Sequence, residues 1–176
     1  MAIDVLFVQG AGENVHEAWD RKLVESLQHN LGAGYRVRYP RMPDEADPKY
    51  ATWKPAIIDE LDAPILVGHS LGGTMLVHAL AEHGVKFEAL VLIAAPYIGE
   101  GGWPSDEITA RTHFGLPAAP VLLFHGTADT TAPTNHVHLY ARAIQNATVH
   151  VLEGRDHQLN NDLGEVAREL QRIVPA

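Results

Sequence analysis

Cysteine is absent from the 176 residues, which excludes a disulfide framework, a thiolate metal site and a thiol nucleophile. Any covalent chemistry falls to a hydroxyl, an amine or a carboxylate. Basic residues are scarce beside acidic ones, 13 Lys and Arg against 22 Asp and Glu for a formal charge of −9, so the chain lacks the positive surface that nucleic acid or an anionic membrane requires. Apolar runs are short, none near the roughly 20 residues that span a bilayer. Met1 to Gln9 has neither the basic start nor the small-residue cleavage site of a signal peptide. The expectation is a soluble cytoplasmic protein with no nucleic-acid or membrane partner. Repeats, low-complexity tracts and a dividing linker are missing too, which leaves one domain over 1–176.

What is present is alternation. Short apolar, β-branched runs at Ile3 to Val8, Tyr35 to Tyr39, Ile65 to Val67, Ala89 to Ala94, Val121 to Phe124 and Thr148 to Leu152 read as strands. Helical patterns fall between most of them. Trp19, Leu23, Leu27 and Leu31 recur at intervals of four, Leu71, Met75, Leu76 and Leu80 share a face, and Leu163, Val166, Leu170 and Ile173 close the chain. Strands apolar on both faces and joined by helices predict an α/β fold: a three-layer sandwich around a mostly or wholly parallel six-stranded sheet. Pro40 to Ala51 and Pro96 to Pro120 read as loops, the second with room for a short helix inside Pro104 to His113. That second loop leaves the carboxyl end of the fourth strand, where ligands of open parallel sheets bind.

The chemistry centres on Gly68-His69-Ser70-Leu71-Gly72, between the third strand and the next helix. A serine on so sharp a turn needs small residues two positions to either side, and a strand before and a helix after are the context of a nucleophile elbow. A serine hydroxyl is a poor nucleophile at neutral pH without a general base and a carboxylate to orient that base. In sheet enzymes of this kind the order is Ser, acid, His, with acid and base on loops at strand carboxyl ends. Asp129, in His125-Gly126-Thr127-Ala128-Asp129, and His157, in Gly154-Arg155-Asp156-His157, occupy those places. Asp156 and Asp162 compete as the acid, and turn formation or helix capping is the bland alternative for Asp129. Of the 11 histidines, His69 and His125 are assigned structural roles. His136-Val137-His138 is not read as a metal site, because side chains two apart on a helix face different directions. No metal or organic cofactor is expected.

Two backbone N–H donors must hold the oxyanion that forms on acyl attack. Leu71 opens the helix after the elbow, where the dipole also favours an anion. The second donor is sought in Gln9-Gly10-Ala11-Gly12, with Ala11 first and Gly10 next. That stretch has neither the Walker spacing with Lys nor a complete Gly-X-Gly-X-X-Gly. As a set, Gly68 to Gly73, His125 to Asp129 and Gly154 to His157 resemble the elbow, acid loop and base loop of the α/β-hydrolase family over nearly the whole chain, as a minimal core without a large cap. A closer resemblance is to small single-domain serine hydrolases related to the retinoblastoma-binding serine hydrolase. It rests on brevity and on Met42-Pro43-Asp44 followed by Tyr50, Trp53 and Pro55. The chain departs from those relatives at Gln9-Gly10-Ala11-Gly12, which lacks a proline-glycine start, and at Leu71-Gly72-Gly73.

The resemblance implies a carboxylesterase-like serine hydrolase acting on a small-molecule ester or acyl substrate through Ser70, His157 and Asp129. Peptidase, thioesterase or lactonase activity would use the same residues, and a catalytically silent binding protein on this scaffold is the rival from another class. Tyr97 and Trp103 are expected to contact substrate, with Phe114, Leu116, Trp19 and Trp53 as further candidates for an apolar acyl pocket.

Overall fold

The computed structural model describes every residue from Met1 to Ala176. Six strands, β1 (Ile3–Val8), β2 (Tyr35–Arg38), β3 (Ile65–His69), β4 (Ala89–Ile93), β5 (Val121–Gly126) and β6 (Ala147–Leu152), form one sheet in the order β2-β1-β3-β4-β5-β6. Every pairing is parallel. Five helices accompany it: α1 (Asp20–Leu31), α2 (Tyr50–Ile58), α3 (Ser70–His83), α4 (His136–Ala143) and α5 (Gly164–Ile173). No helix is long and apolar enough to cross a membrane.

The strand sequences explain the layers. Successive side chains of a strand point to opposite faces. Val5 and Phe7 of β1, Ile65 and Val67 of β3, and Val91 and Ile93 of β4 accordingly join one buried cluster with Leu23 and Leu27 of α1 and Val166 and Leu170 of α5. Leu6 and Val8, Leu66, and Leu90 and Leu92 join the other, with Trp53 and Ile57 of α2, Leu76 and Leu80 of α3 and Tyr140 of α4. A sheet covered on both faces follows directly from interior strands that are apolar on both sides. This is the expected three-layer α/β sandwich, wholly parallel and without a large cap.

Several local expectations change. The predicted interval-of-four stripe put Trp19 on the apolar face of α1, yet Trp19 is 56% exposed while Asp20, Leu23, Leu27 and Leu31 are buried. At about 3.6 residues per turn, position 19 lies about 120° from position 31 around the axis, whereas position 20 lies within about 20°. The Pro-rich loop ends at Lys49, because Tyr50, Trp53 and Ile57 turn one face of α2 into the core. Pro55 inside that helix masks the signal. No helix forms between Pro104 and His113, where the chain runs as irregular loop around Trp103, bridged to Ile98.

One core residue makes a pH-dependent demand on the fold. His78 of α3 is fully buried, edge-on to Phe114 and near Tyr50, and neither ring nitrogen has a hydrogen-bond partner within the chain. Burial, reinforced by the Arg111 guanidinium and opposed by Glu82, pushes its pKa down to about 4 from 6.5. The unfolded chain therefore binds the extra proton across that window, and stability falls as pH drops from about 6.5 to about 4, by about 3 kcal/mol in total. In His78→Leu this loss should vanish. Urea unfolding midpoints at pH 7.5 and 4.5 measure it, and an equal acid loss in both proteins would contradict the assignment.

The chain leaves β1 toward β2 on one side and later returns to pair β3 on the other. The reversal opens a crevice beyond the carboxyl ends of β1 and β3, the place where parallel sheets hold ligands. Gln9 to Gly12 and Ser70 flank it.

Candidate active site

β3 passes into α3 without an intervening loop, His69 in extended conformation and Ser70 opening the helix with φ 52°. A positive φ at a non-glycine residue is costly, of order 1–3 kcal/mol, and is retained where surrounding structure enforces it. Here the enforcement is contact. A Cβ at position 68 would lie 2.5 Å from Gly73 Cα, and one at position 72 would lie 1.8 Å from the Gln9 carbonyl oxygen. Gly72→Ala should therefore push the elbow off the β1 loop and destabilise the fold by at least about 3 kcal/mol. A thermal melt of the variant within a few degrees of wild type would refute that packing.

Three side chains from separate segments meet at the elbow. His157 Nε2 is 2.9 Å from Ser70 Oγ, and His157 Nδ1 is 2.7 Å from Asp129 Oδ2. The loops after β5 and β6 are fastened together: Thr127 N–H donates to Leu152 C=O and Ala128 N–H to Arg155 C=O. A Cβ at Gly126 would lie 2.1 Å from the Arg155 oxygen. Only glycine allows that approach, which carries Asp129 to His157.

The Asp129 carboxylate is buried and fully engaged. Oδ1 accepts the Thr131 and Ala132 N–H groups at 2.8 and 2.9 Å, and Oδ2 faces both His157 and, at 3.0 Å, His125 Nε2. Burial raises its pKa, but these hydrogen bonds, with His125 and His157 foremost, outweigh burial and hold it far below the usual carboxylate range. A permanently ionised acid beside an imidazole fixes the tautomer with Nδ1 protonated and leaves Nε2 to accept the Ser70 proton. The rival acids are occupied elsewhere: Asp156 accepts the Gln158 and Asn160 N–H groups of its own turn, and Asp162 accepts Gly164 N–H and pairs with Arg155. His136 is buried with Nδ1 accepting the Tyr97 N–H, and His138 is exposed.

Around Ser70, the Leu71 N–H lies in the first turn of α3, where donors have no carbonyl partner within the helix. The two β1-loop candidates differ. Gly10 N–H donates to Asp20 Oδ2 at 2.7 Å, whereas Ala11 N–H has no acceptor within the chain. The Gly10 N–H is thus committed to the scaffold, and Ala11 alone retains a free donor. Ser70, Leu71, Ala11 and His157 are all partly exposed, so the site opens to solvent.

The aromatic candidates for substrate contact are mostly buried. Tyr97 packs edge-on against Tyr140 and donates its hydroxyl to Arg111 C=O, Trp53 is buried with Nε1–H on Pro43 C=O, and Phe114 is in the core. Trp103, 37% exposed, lies edge-on to His136. Tyr97, Trp53 and Phe114 are thus buried and engaged in packing, and Trp103 is the more exposed of the aromatics.

Asp20 was not anticipated. It is fully buried beside the equally buried His69, with Asp20 Oδ2 at 2.9 Å from His69 Nδ1. Burial disfavours both charges, but their mutual attraction prevails, lowering the pKa of Asp20 and raising that of His69. A signal existed: Asp20 falls in phase with Leu23, Leu27 and Leu31, where a carboxylate has no reason to be unless it has a partner inside.

The model of the alpha/beta hydrolase family matches residues 5–122. Among solved structures, the meta-cleavage product hydrolase of Pseudomonas fluorescens, complexed with acetates, superposes with TM-score 0.73 at 17% identity, over 98% of this chain and 89% of that one. A monoacylglycerol lipase from Paleococcus ferrophilus gives 0.63 at 20% identity, over 96% and 92%. The esterase domain of a Rhodothermus marinus protein gives 0.64 at 20%, over 97% and 87%. At such identities the likeness is one of fold. Among curated protein sequences, none matches the chain.

Proposed function

The chain belongs to the alpha/beta hydrolase family, and from that premise we propose that it is a serine hydrolase cleaving an ester-type acyl bond through an acyl-enzyme. The observation that carries the proposal is the unbroken hydrogen-bond chain Ser70 Oγ, His157, Asp129, at 2.9 and 2.7 Å. His157 Nε2 takes the hydroxyl proton as Oγ attacks the substrate carbonyl carbon, and the carbonyl oxygen becomes an oxyanion held by the Leu71 and Ala11 N–H groups. Collapse of the tetrahedral intermediate expels the alcohol, which takes the proton from His157. Water, deprotonated by the same nitrogen, then releases the acid and restores Ser70. Asp129 stays ionised throughout.

With no large cap and with its reacting groups partly exposed, the site favours small or extended esters over acyl chains enclosed by a lid. In this reading residues 1–176 act as one cytoplasmic, cofactor-free hydrolase domain of the small serine-hydrolase kind. A fluorophosphonate probe tests it. The folded wild type should be labelled at Ser70, and Ser70→Ala should take up no probe. A folded wild type that resists labelling would point instead to a silent binding protein on the same scaffold. A panel of p-nitrophenyl esters, thioesters and peptide amides then ranks the leaving groups.

A further inference from the structure

His69 and Asp20 take no part in the acyl transfer proposed above, yet together they touch both loops on which it depends. Asp20, in the first turn of α1, accepts the Gly10 N–H at 2.7 Å on Oδ2 and the Gln158 Nε2–H at 3.3 Å on Oδ1. His69 Nδ1 lies 2.9 Å from that same Oδ2, and Nε2 lies 3.0 Å from the His157 carbonyl oxygen. Both partners of the imidazole are acceptors. A carbonyl oxygen has no proton to give, and the Asp20 carboxyl, accepting from Gly10 on Oδ2 and from Gln158 on Oδ1, is held ionised by His69, whose own pKa is raised in return. The ring must donate from both nitrogens, so it is an imidazolium balanced by the Asp20 carboxylate.

A buried ion pair is expensive to desolvate and weak as a source of stability, so its retention calls for another account. The contacts supply one. Asp20 fixes Gly10 N–H, and the next donor along the backbone, Ala11 N–H, is the free one at the crevice. His69 fixes the backbone of His157, whose own ring reaches Ser70. We propose that the Asp20–His69 pair is a positioning device that locks the oxyanion loop after β1 to the base loop after β6. The inference rests on the serine-hydrolase reading. Other groups facing His69 are the His157 ring, its centroid 5.0 Å away, and the Asp129 carboxylate, whose charge also favours the imidazolium.

Misplacing a reacting group by about 1 Å can cost on the order of 100-fold, so the effect belongs in kcat. In Asp20→Asn, kcat on p-nitrophenyl acetate should fall roughly 10- to 100-fold with KM within about twofold, in protein whose circular dichroism is native. His69→Gln, which keeps a donor for the His157 carbonyl, should recover part of the kcat lost in His69→Ala. Undiminished kcat in folded Asp20→Asn would overturn the proposal. Imidazole nitrogen NMR of the wild type is independent of whether any variant folds: both ring nitrogens of His69 should stay protonated to higher pH than those of a free imidazole, and a His69 that loses its proton no later than a free imidazole would also overturn it. Wild type that resists the fluorophosphonate signals failure of the hydrolase reading instead, so the two failures are separable.

Discussion

Ser70→Ala should hydrolyse p-nitrophenyl acetate about 10⁶-fold more slowly than wild type once spontaneous hydrolysis is subtracted. The magnitude follows from removing the covalent route altogether: without Oγ there is no acyl-enzyme, and His157 has no hydroxyl to activate. His157→Ala should cost nearly as much, and the double variant little more than either single one, because nucleophile and base act as a unit. Additive losses in the double variant would mean that the two side chains serve separate steps. Ser70 is partly exposed at the head of α3 and its hydroxyl contacts His157, so the alanine variant should melt close to wild type. Loss of activity is then loss of chemistry.

Asp129→Asn should lower kcat about 10⁴-fold. The carboxylate faces four donors, from His157, His125, Thr131 and Ala132. An asparagine offers one oxygen and one NH₂ in its place, so whichever way the amide turns, an N–H confronts an N–H. If the amide nitrogen faces His157, the imidazole is driven to the tautomer with Nε2 protonated, which cannot take the Ser70 proton. If it faces the backbone, the loop between β5 and α4 loses its anchor, at about 1–3 kcal/mol. Steady-state kinetics on folded variant measures the first outcome and urea unfolding the second. A kcat within tenfold of wild type, with the fold intact, would remove Asp129 from the mechanism.

The parts of the site that could be read in the sequence were those carried by local rules. Gly68 and Gly72 mark the elbow because the steric demand is confined to five residues. Asp129 and His157 were legible because loops after successive parallel strands emerge at one end of the sheet, so chain order predicts proximity. Apolar strands of alternating phase likewise announced two buried faces. What escaped depends on contacts between distant segments. The burial of Tyr97 and Trp53, whose polar atoms are taken by Arg111 and Pro43, has no local signature. Trp19 and Asp20 were exchanged because four-residue intervals drift around a helix of about 3.6 residues per turn. The commitment of Gly10 N–H to Asp20 has no local signature, since glycine leaves that backbone free for either use.

The reversal of strand order at β1 bears on how the molecule comes to be active. β1 is interior to the sheet but must wait for β3, far later in the chain, before its second edge is covered. When Val8 pairs with Gly68, the same event brings Gln9 and Gly10 alongside His69 and Ser70. A slip of one residue would turn Leu6 and Val8 toward the wrong layer and also carry Ala11 away from the elbow. Correct registration and competence are therefore acquired together, and reactivity of Ser70 during refolding would report in real time the closure of the sheet between β1 and β3.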